Sequence, residues 1–437
     1  MKTFNPMREL PGAAGYKAGD VLVLFGELFG RGYANGIVNE ARDAGMTVIG
    51  ITVGRRDKDG MLRRLTDEEL AEAEDNLGGK IINIPLEAGF DMEAGPAGKS
   101  PVDQLKGVKS DEWDALQLDW EAIELSRMAG VKRFTDNLKA VVAELDALIP
   151  GGADVLFAHT IAGGIPRARI LMPILNRVFK GQGDRYLPSE ALWNSQIGRL
   201  CSMSFDEVTA DTFRHLIEAT ASLRQRITSL GGSVGYVAYC YHGCEVIVNN
   251  AYTWQSYTPY LQGWAKMRLE DIAQQAWEEG VSATVFNCPE IQTNSSALFL
   301  GVEISLYPLL QALEREGSGP HAEAIRNRCA SLLKDGATLE ELLAKADSYL
   351  SSPVLAQFRD LDAWPHHNTA EQAELMLTSA TELLEMNRDP KEIVCAELSR
   401  AVFSAVGSLM FRSIWNPVSP VLWLNHDIIA GHIVSEG

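Results

Sequence analysis

Val21-Leu-Val-Leu-Phe25-Gly26-Glu-Leu-Phe-Gly30-Arg31-Gly32-Tyr33-Ala-Asn-Gly36-Ile37 is the stretch on which the reading of this chain turns. A short, unbroken apolar run of the kind that forms a buried parallel strand stops at Gly26. Glycines then recur as G-x-x-x-G-x-G before Ile37 and Val38 open a helical pattern. The stretch therefore predicts a strand, a tight turn and a helix start. In such a turn bare backbone can approach a pyrophosphate, which rests against the unpaired N–H groups and positive dipole end of the helix. A side chain at Gly30 or Gly32 would obstruct that approach. The other reading of three glycines alone is a turn that holds no ligand.

The next strand bears on the choice. Met46-Thr-Val-Ile-Gly-Ile-Thr-Val53 reads as a second parallel strand, and it runs into Gly54-Arg55-Arg56. An acidic residue there would bind a free ribose 2′-hydroxyl, whereas arginine accommodates a 2′-phosphate. Arg55 and Arg56 thus point to NADP(H) over NAD(H), unless they are simply a solvated pair on a loop.

Further along, Thr66-Asp-Glu-Glu69 has capping-box spacing and opens a helix to about Asn76, and Lys80–Pro85 reads as a third strand. The repeated strand–helix alternation predicts an α/β fold, a Rossmann-like doubly wound parallel sheet. From about residue 88 to 131 glycines, prolines, tryptophans and acids break the pattern and suggest an insertion with short helices. A helix resumes over Phe134–Leu148. Ala153–Ala158 is a fourth strand, followed at once by His159-Thr160-Ile161-Ala162-Gly163-Gly164, small residues at the strand end where open sheets receive ligands. Thr209–Leu230 is helical, and Ser233–Tyr241 is a fifth strand that opens into a loop carrying Tyr252, Trp254, Tyr257 and Tyr260. A helix with Lys266 in its first turns follows, then a sixth strand, Ser282–Asn287, leading to Cys288-Pro289 and Thr293. Beyond Pro308 the alternation gives way to helix starts at Thr338, Asn368/Thr369 and Asp389-Pro390. The expected division is a catalytic unit over 1–307 and a helical extension over 308–437. Its apolar end, Ile414–Trp423, is expected to pack on the core or on another subunit.

A chain of 437 residues with 46% hydrophobic and 22% charged residues has the composition of a soluble globular protein. With no apolar stretch near the roughly 20 residues of a membrane span, the expected compartment is the cytoplasm. Six scattered cysteines form no disulfide framework, and Cys240 and Cys244, though they flank His242, lack further ligands for a metal site. A net charge of −19 argues against nucleic acid. It would equally repel an acidic carrier or a CoA ester, so such a substrate needs a local basic patch; Arg167, Arg169, Lys180 and Arg185 are candidates.

Three motifs together resemble the short-chain dehydrogenase/reductase superfamily, and within it the enoyl-acyl-carrier-protein reductases. They are the G-x-x-x-G-x-G at Gly26, Gly30 and Gly32; His159-Thr-Ile-Ala162; and Gly263-Trp-Ala-Lys266-x-x-Leu269-Glu270. Length and tail look most like the FabMG type. The resemblance implies hydride transfer from NADPH, or alternatively NADH, to the β-carbon of a trans-2-enoyl thioester on acyl-carrier protein or CoA. It implies a tyrosine donor to the enolate oxygen, with Lys266 on the nicotinamide ribose. Position 262, four before the lysine, is glutamine; Tyr257, nine before it, is the favoured donor, with Tyr260 the alternative and Tyr241 a substrate contact. Arg31, Tyr33, His159, Thr160, Ile161, Ala162, Pro289 and Thr293 would line the cofactor. Two other readings remain open: a carbonyl or hydroxyl oxidoreductase of the same superfamily, and a non-catalytic dinucleotide-binding scaffold. The oligomeric state is left open, a homo-oligomer included.

Overall fold

A computed structural model describes residues 4–30, 32–96, 98–109, 111–240, 242–255, 261–292, 301–317, 319–360 and 367–436. The strands are β1 (Val21–Phe25), β2 (Thr47–Ile51), β3 (Arg55–Arg56), β4 (Leu62–Arg63), β5 (Lys80–Ile82), β6 (Val155–His159), β7 (Val234–Cys240), β8 (Cys244–Val248), β9 (Ala251–Gln255), β10 (Ala283–Asn287) and β11 (Val421–Trp423). Among the described residues the central sheet has the order β11-β10-β7-β6-β1-β2-β5, with every pairing parallel. The order reverses between β1 and β6. In a doubly wound sheet this switch point, at the carboxyl ends of the strands, is where a ligand is received.

β1 is wholly buried, and its side chains alternate between two cores. Leu22 and Leu24 face a core shared with the helices Ala34–Asp43 and Val394–Trp415, while Val21, Val23 and Phe25 face the helices on the other side. Burial on both faces is why the strand reads as an unbroken apolar run.

The helix after the glycine turn lies directly on Val394–Trp415. A Cβ added at Gly36 would come 2.6 Å from the Ser404 carbonyl oxygen and 2.7 Å from Gly407 Cα; one at Gly407 would come 2.4 Å from Gly36 Cα. Backbone meets backbone here, so neither helix can yield by turning a side chain. Gly407→Ala is expected to cost about 1–3 kcal/mol as overpacking, read as a lower midpoint in thermal or urea unfolding. An unchanged midpoint would mean that the two helices separate at no cost.

Several sequence expectations are corrected. The helix expected from Phe134 runs from Trp120 to Leu148, capped by the Asp119 side chain on the Ala122 N–H. Gly130, within the stretch read as an insertion, is a packing contact inside it: a Cβ would meet Phe90 Cβ at 2.8 Å. The third strand stops at Ile82. The aromatic loop after the fifth strand begins as the antiparallel hairpin β8–β9, which turns through Asn249 and Asn250, both at positive φ (49° and 63°) as a type I′ turn requires.

Among the described residues the tail is helical apart from its turns and β11, which adds an edge strand beside β10. Met7 N donates to Trp423 O at 2.9 Å and Trp423 N to Asn5 O at 3.3 Å, so the lead-in extends that edge. Against the expectation of no membrane-length apolar segment, the helix Val394–Trp415 is long and apolar enough to cross a bilayer; 67% of its apolar window is buried inside the fold.

Candidate active site

The glycine turn leaves β1 through Gly26 at φ +141° and passes Gly32 at φ +148°. A Cβ at Gly26 would lie 2.2 Å from Thr160 Oγ1, so the turn and the loop after β6 close on each other at the switch point. Thr160 ties the two strand ends, its N–H and its hydroxyl both donating to Phe25 O (3.1 and 3.2 Å). At Gly30, Gly32 and Gly163 a Cβ would meet nothing within 4 Å, so these glycines border open space. The helix Ala34–Asp43 begins there with no side-chain cap and no acidic residue in its first turn. A helix start that carries no acidic side chain, beside open space, fits a dinucleotide's diphosphate through the positive end of its dipole.

A cleft of about 160 Å³ opens at this point, lined by Gly32, Tyr33, His159, Thr160, Tyr239 and Lys266. It gathers the glycine turn, the loop after β6, the end of β7 and the helix Leu261–Glu278. Lys266 is 2% exposed, and its ammonium donates to the Tyr239 carbonyl at 2.5 Å. Burial pulls its pKa down to about 8. Tyr33 stacks on Tyr239 with ring centroids 5.4 Å apart, and its hydroxyl donates to the Pro289 carbonyl. The buried Tyr239 hydroxyl has no partner among the described residues, a polar atom left over where a ligand would lie.

His159 contributes main chain and support. Its Nε2 lies 2.8 Å from Thr212 Oγ1, and that hydroxyl already donates to Val208 O, so Nε2 carries the proton. Burial and the Lys266 charge hold the ring well below its ordinary pKa, hence neutral. Thr209 and Thr212 reach this loop because the helical run widens into a π-type turn over Asp206–Asp211. There Thr209 exchanges hydrogen bonds with Gly163 (3.1 and 2.6 Å), and Asp211 takes a double hydrogen bond from Arg268. The Ile161 side chain is in the core and does not line the cleft.

Arg55 and Arg56 are not presented as a free phosphate clamp. Arg55 is paired with Glu27, while Arg56 grips Glu87 and donates to the Gly60 carbonyl at 2.6 Å. Arg167, one of the basic candidates, likewise pairs with Glu87 and lies 3.6 Å from Asp91. Arg31, Tyr241, Tyr257, Tyr260 and Thr293 lie outside the described residues.

Sequence reasoning passed over a buried polar network beneath the lysine. Glu270 Oε1 lies 2.9 Å from His242 Nδ1 and accepts from Asn287 Nδ2 at 2.9 Å, while the His242 N–H donates to Asn287 Oδ1 at 3.1 Å. Glu270 lies one helical turn beyond Lys266, His242 follows Tyr241, and Asn287 ends β10 just before Pro289. The network joins the three segments that carry the site. Glu290, next after Pro289, was also missed; burial, with Glu303 nearby, pushes its carboxyl up to about 8.

Residues 3–433 match the family described as "Enoyl-acyl carrier protein reductase FabMG". The chain belongs to this family. It is 53% identical, with a TM-score of 0.96, to a structure described as the apo structure of FabMG, a novel type of enoyl-acyl carrier protein reductase, covering 99% of this chain and 98% of that one. To an NADH-bound FabMG structure it is 44% identical, with a TM-score of 0.81 and full coverage of both chains. No curated protein matches the chain. The FabMG relationship spans the tail as well as the sheet, which accords with β11 and the helix Val394–Trp415 being built into the core.

Proposed function

We propose that this FabMG member reduces the 2,3 double bond of a trans-2-enoyl thioester on acyl-carrier protein, with NADH as its cofactor, in the cytoplasm. The observation that carries the proposal is the buried Lys266 beneath the glycine turn at the switch point, in a chain of this family. The uncapped helix and the glycines would receive the diphosphate, and Lys266 the nicotinamide ribose. When bound, the cofactor supplies a hydride to the β-carbon of the substrate.

The remaining steps fall to the chain itself. Charge then develops on the thioester oxygen, and the Tyr257 hydroxyl, with Tyr260 as the alternative, donates to it. The ammonium of Lys266 keeps the potential positive there, and a proton reaches the α-carbon to complete addition across the bond. Tyr241 would contact the acyl group, and Arg31 and Thr293 the cofactor. CoA thioesters are the second substrate form, and a homo-oligomer is compatible with the reading.

The test is NADH oxidation by the purified protein, with a trans-2-enoyl thioester present and absent. Tyr257→Phe is expected to lower kcat by about 10²–10³ with NADH affinity unchanged. Full activity in Tyr257→Phe together with loss in Tyr260→Phe would move the donor to Tyr260. No thioester-dependent oxidation in the wild type would overturn the reading.

A further inference from the structure

We infer that Glu27 is the residue that selects the dinucleotide, and that it does so by holding shut a 2′-phosphate site built on Arg55. The inference rests on the cofactor reading above. Glu27 follows Gly26 at the end of β1, yet its carboxylate reaches across to the end of β2. Oε1 accepts from Thr52 Oγ1 at 2.7 Å, Val53 N at 3.1 Å and Arg55 Nη1 at 2.8 Å, and Oε2 accepts from Arg55 Nη2 at 3.0 Å. In sheets of this kind an acid at the end of the second strand holds the adenosine ribose. Here that strand end reads Thr52-Val53-Gly54-Arg55 and has no carboxylate of its own. Glu27 delivers one to the same place from the neighbouring strand.

The Glu27 side chain is 6% exposed and lies on the wall of the cleft. Burial raises its pKa, but the hydrogen bonds from Arg55 and Thr52 outweigh that and hold it below the ordinary range, so it is charged at neutral pH. Oε1 is saturated, whereas Oε2 accepts from a single donor among the described residues and keeps a lone pair for a ribose hydroxyl. A 2′-phosphate would bring a second anion against this carboxylate and would find the Arg55 fork already occupied. Glu27 therefore accepts NADH and refuses NADPH with the same two oxygens. Its removal would release Arg55 as a guanidinium facing the ribose.

The experiment titrates the apo protein with NADH and with NADPH, following nicotinamide fluorescence, for the wild type, Glu27→Gln and the double variant Glu27→Gln/Arg55→Ala. Wild type is expected to bind NADH the more tightly. Glu27→Gln, nearly isosteric, is expected to weaken NADH and tighten NADPH so that their Kd ratio moves by at least about tenfold. The double variant should lose the NADPH gain. Thermal unfolding verifies that each variant is folded. Equal weakening of both dinucleotides, or no change in either, would make Glu27 a structural residue and overturn the inference. A wild type that prefers NADPH would also overturn it while leaving enoyl reduction standing. A wild type that binds neither dinucleotide would fail the cofactor reading itself.

Discussion

Lys266→Met is expected to lower kcat/KM by about 10²–10³-fold while the fold survives. Methionine keeps the length of the side chain and removes its charge. The lysine is costly to the folded state: burial lowers its pKa from 10.5 to about 8, a destabilisation of about 3 kcal/mol when it is protonated. Losing that penalty offsets the loss of its hydrogen bond to the Tyr239 carbonyl, so the unfolding midpoint should change little. The pH dependences follow with opposite signs. The folded pKa lies below the unfolded one, so between about pH 8 and 10.5 the unfolded chain binds more protons and stability rises with pH. Below about pH 8 the penalty is complete. Catalysis uses the charged lysine, so kcat/KM should fall as pH rises through about 8, and Lys266→Met should lack that limb. Persistence of the limb in the variant would assign it to another group.

The largest loss of stability is expected at the network under the lysine. The Glu270 and His242 side chains are each 1% exposed, and removing one takes from the other a buried polar contact of 2.9 Å. His242→Leu is expected to cost about 3–5 kcal/mol, because the buried Glu270 carboxylate loses its contact with the imidazole. Glu270→Leu should cost a similar amount. The double variant His242→Leu/Glu270→Leu removes both ends and should recover most of the loss, as apolar replacements of buried pairs do. A double-mutant cycle on urea-unfolding free energies measures the coupling, and additive losses would mean that the two groups do not act as a pair. Both substitutions should also depress turnover, since His242 adjoins Tyr241 and Glu270 shares a helix with Lys266.

The parts of the fold legible in the sequence are those whose signals are local. β1 and its glycine turn read correctly because a strand buried on both faces must be apolar throughout, and Gly26 and Gly32 need the positive φ they adopt. Lys266 was reached through its motif, and it lines one cleft with His159, Thr160 and Tyr33. What escaped depends on partners distant in sequence. Arg55 and Arg56 look like a phosphate clamp until Glu27 and Glu87, 28 and 31 residues away, are seen to hold them. Gly130 sits inside the long helix because Phe90 packs where its side chain would be, and nothing local to the glycine shows that contact. Asn249-Asn250 makes a hairpin turn with two asparagines in place of the stronger Asn-Gly signal. β11 is three residues between prolines and the final helix, with no periodicity to betray it. Glu270 stands in plain view in the lysine motif, but nothing local says that its carboxylate turns toward His242.

The edge strand β11 also sets an order on the birth of the molecule. Asn425 donates to the Met7 carbonyl at 2.6 Å across 418 residues of sequence, and Trp423 pairs with Asn5 and Met7. β10 likewise waits for Val421–Trp423 to cover its outer side. A growing chain can pair β1, β2, β5, β6, β7 and β10 as each emerges, but that flank stays open on the ribosome until Val421–Trp423 has emerged. Contacts of such long span are also the slowest to close in refolding. The unpaired edge of β10 is then a template for another chain. Dilute conditions and slow synthesis should raise the yield of native protein more than any change in the early strands.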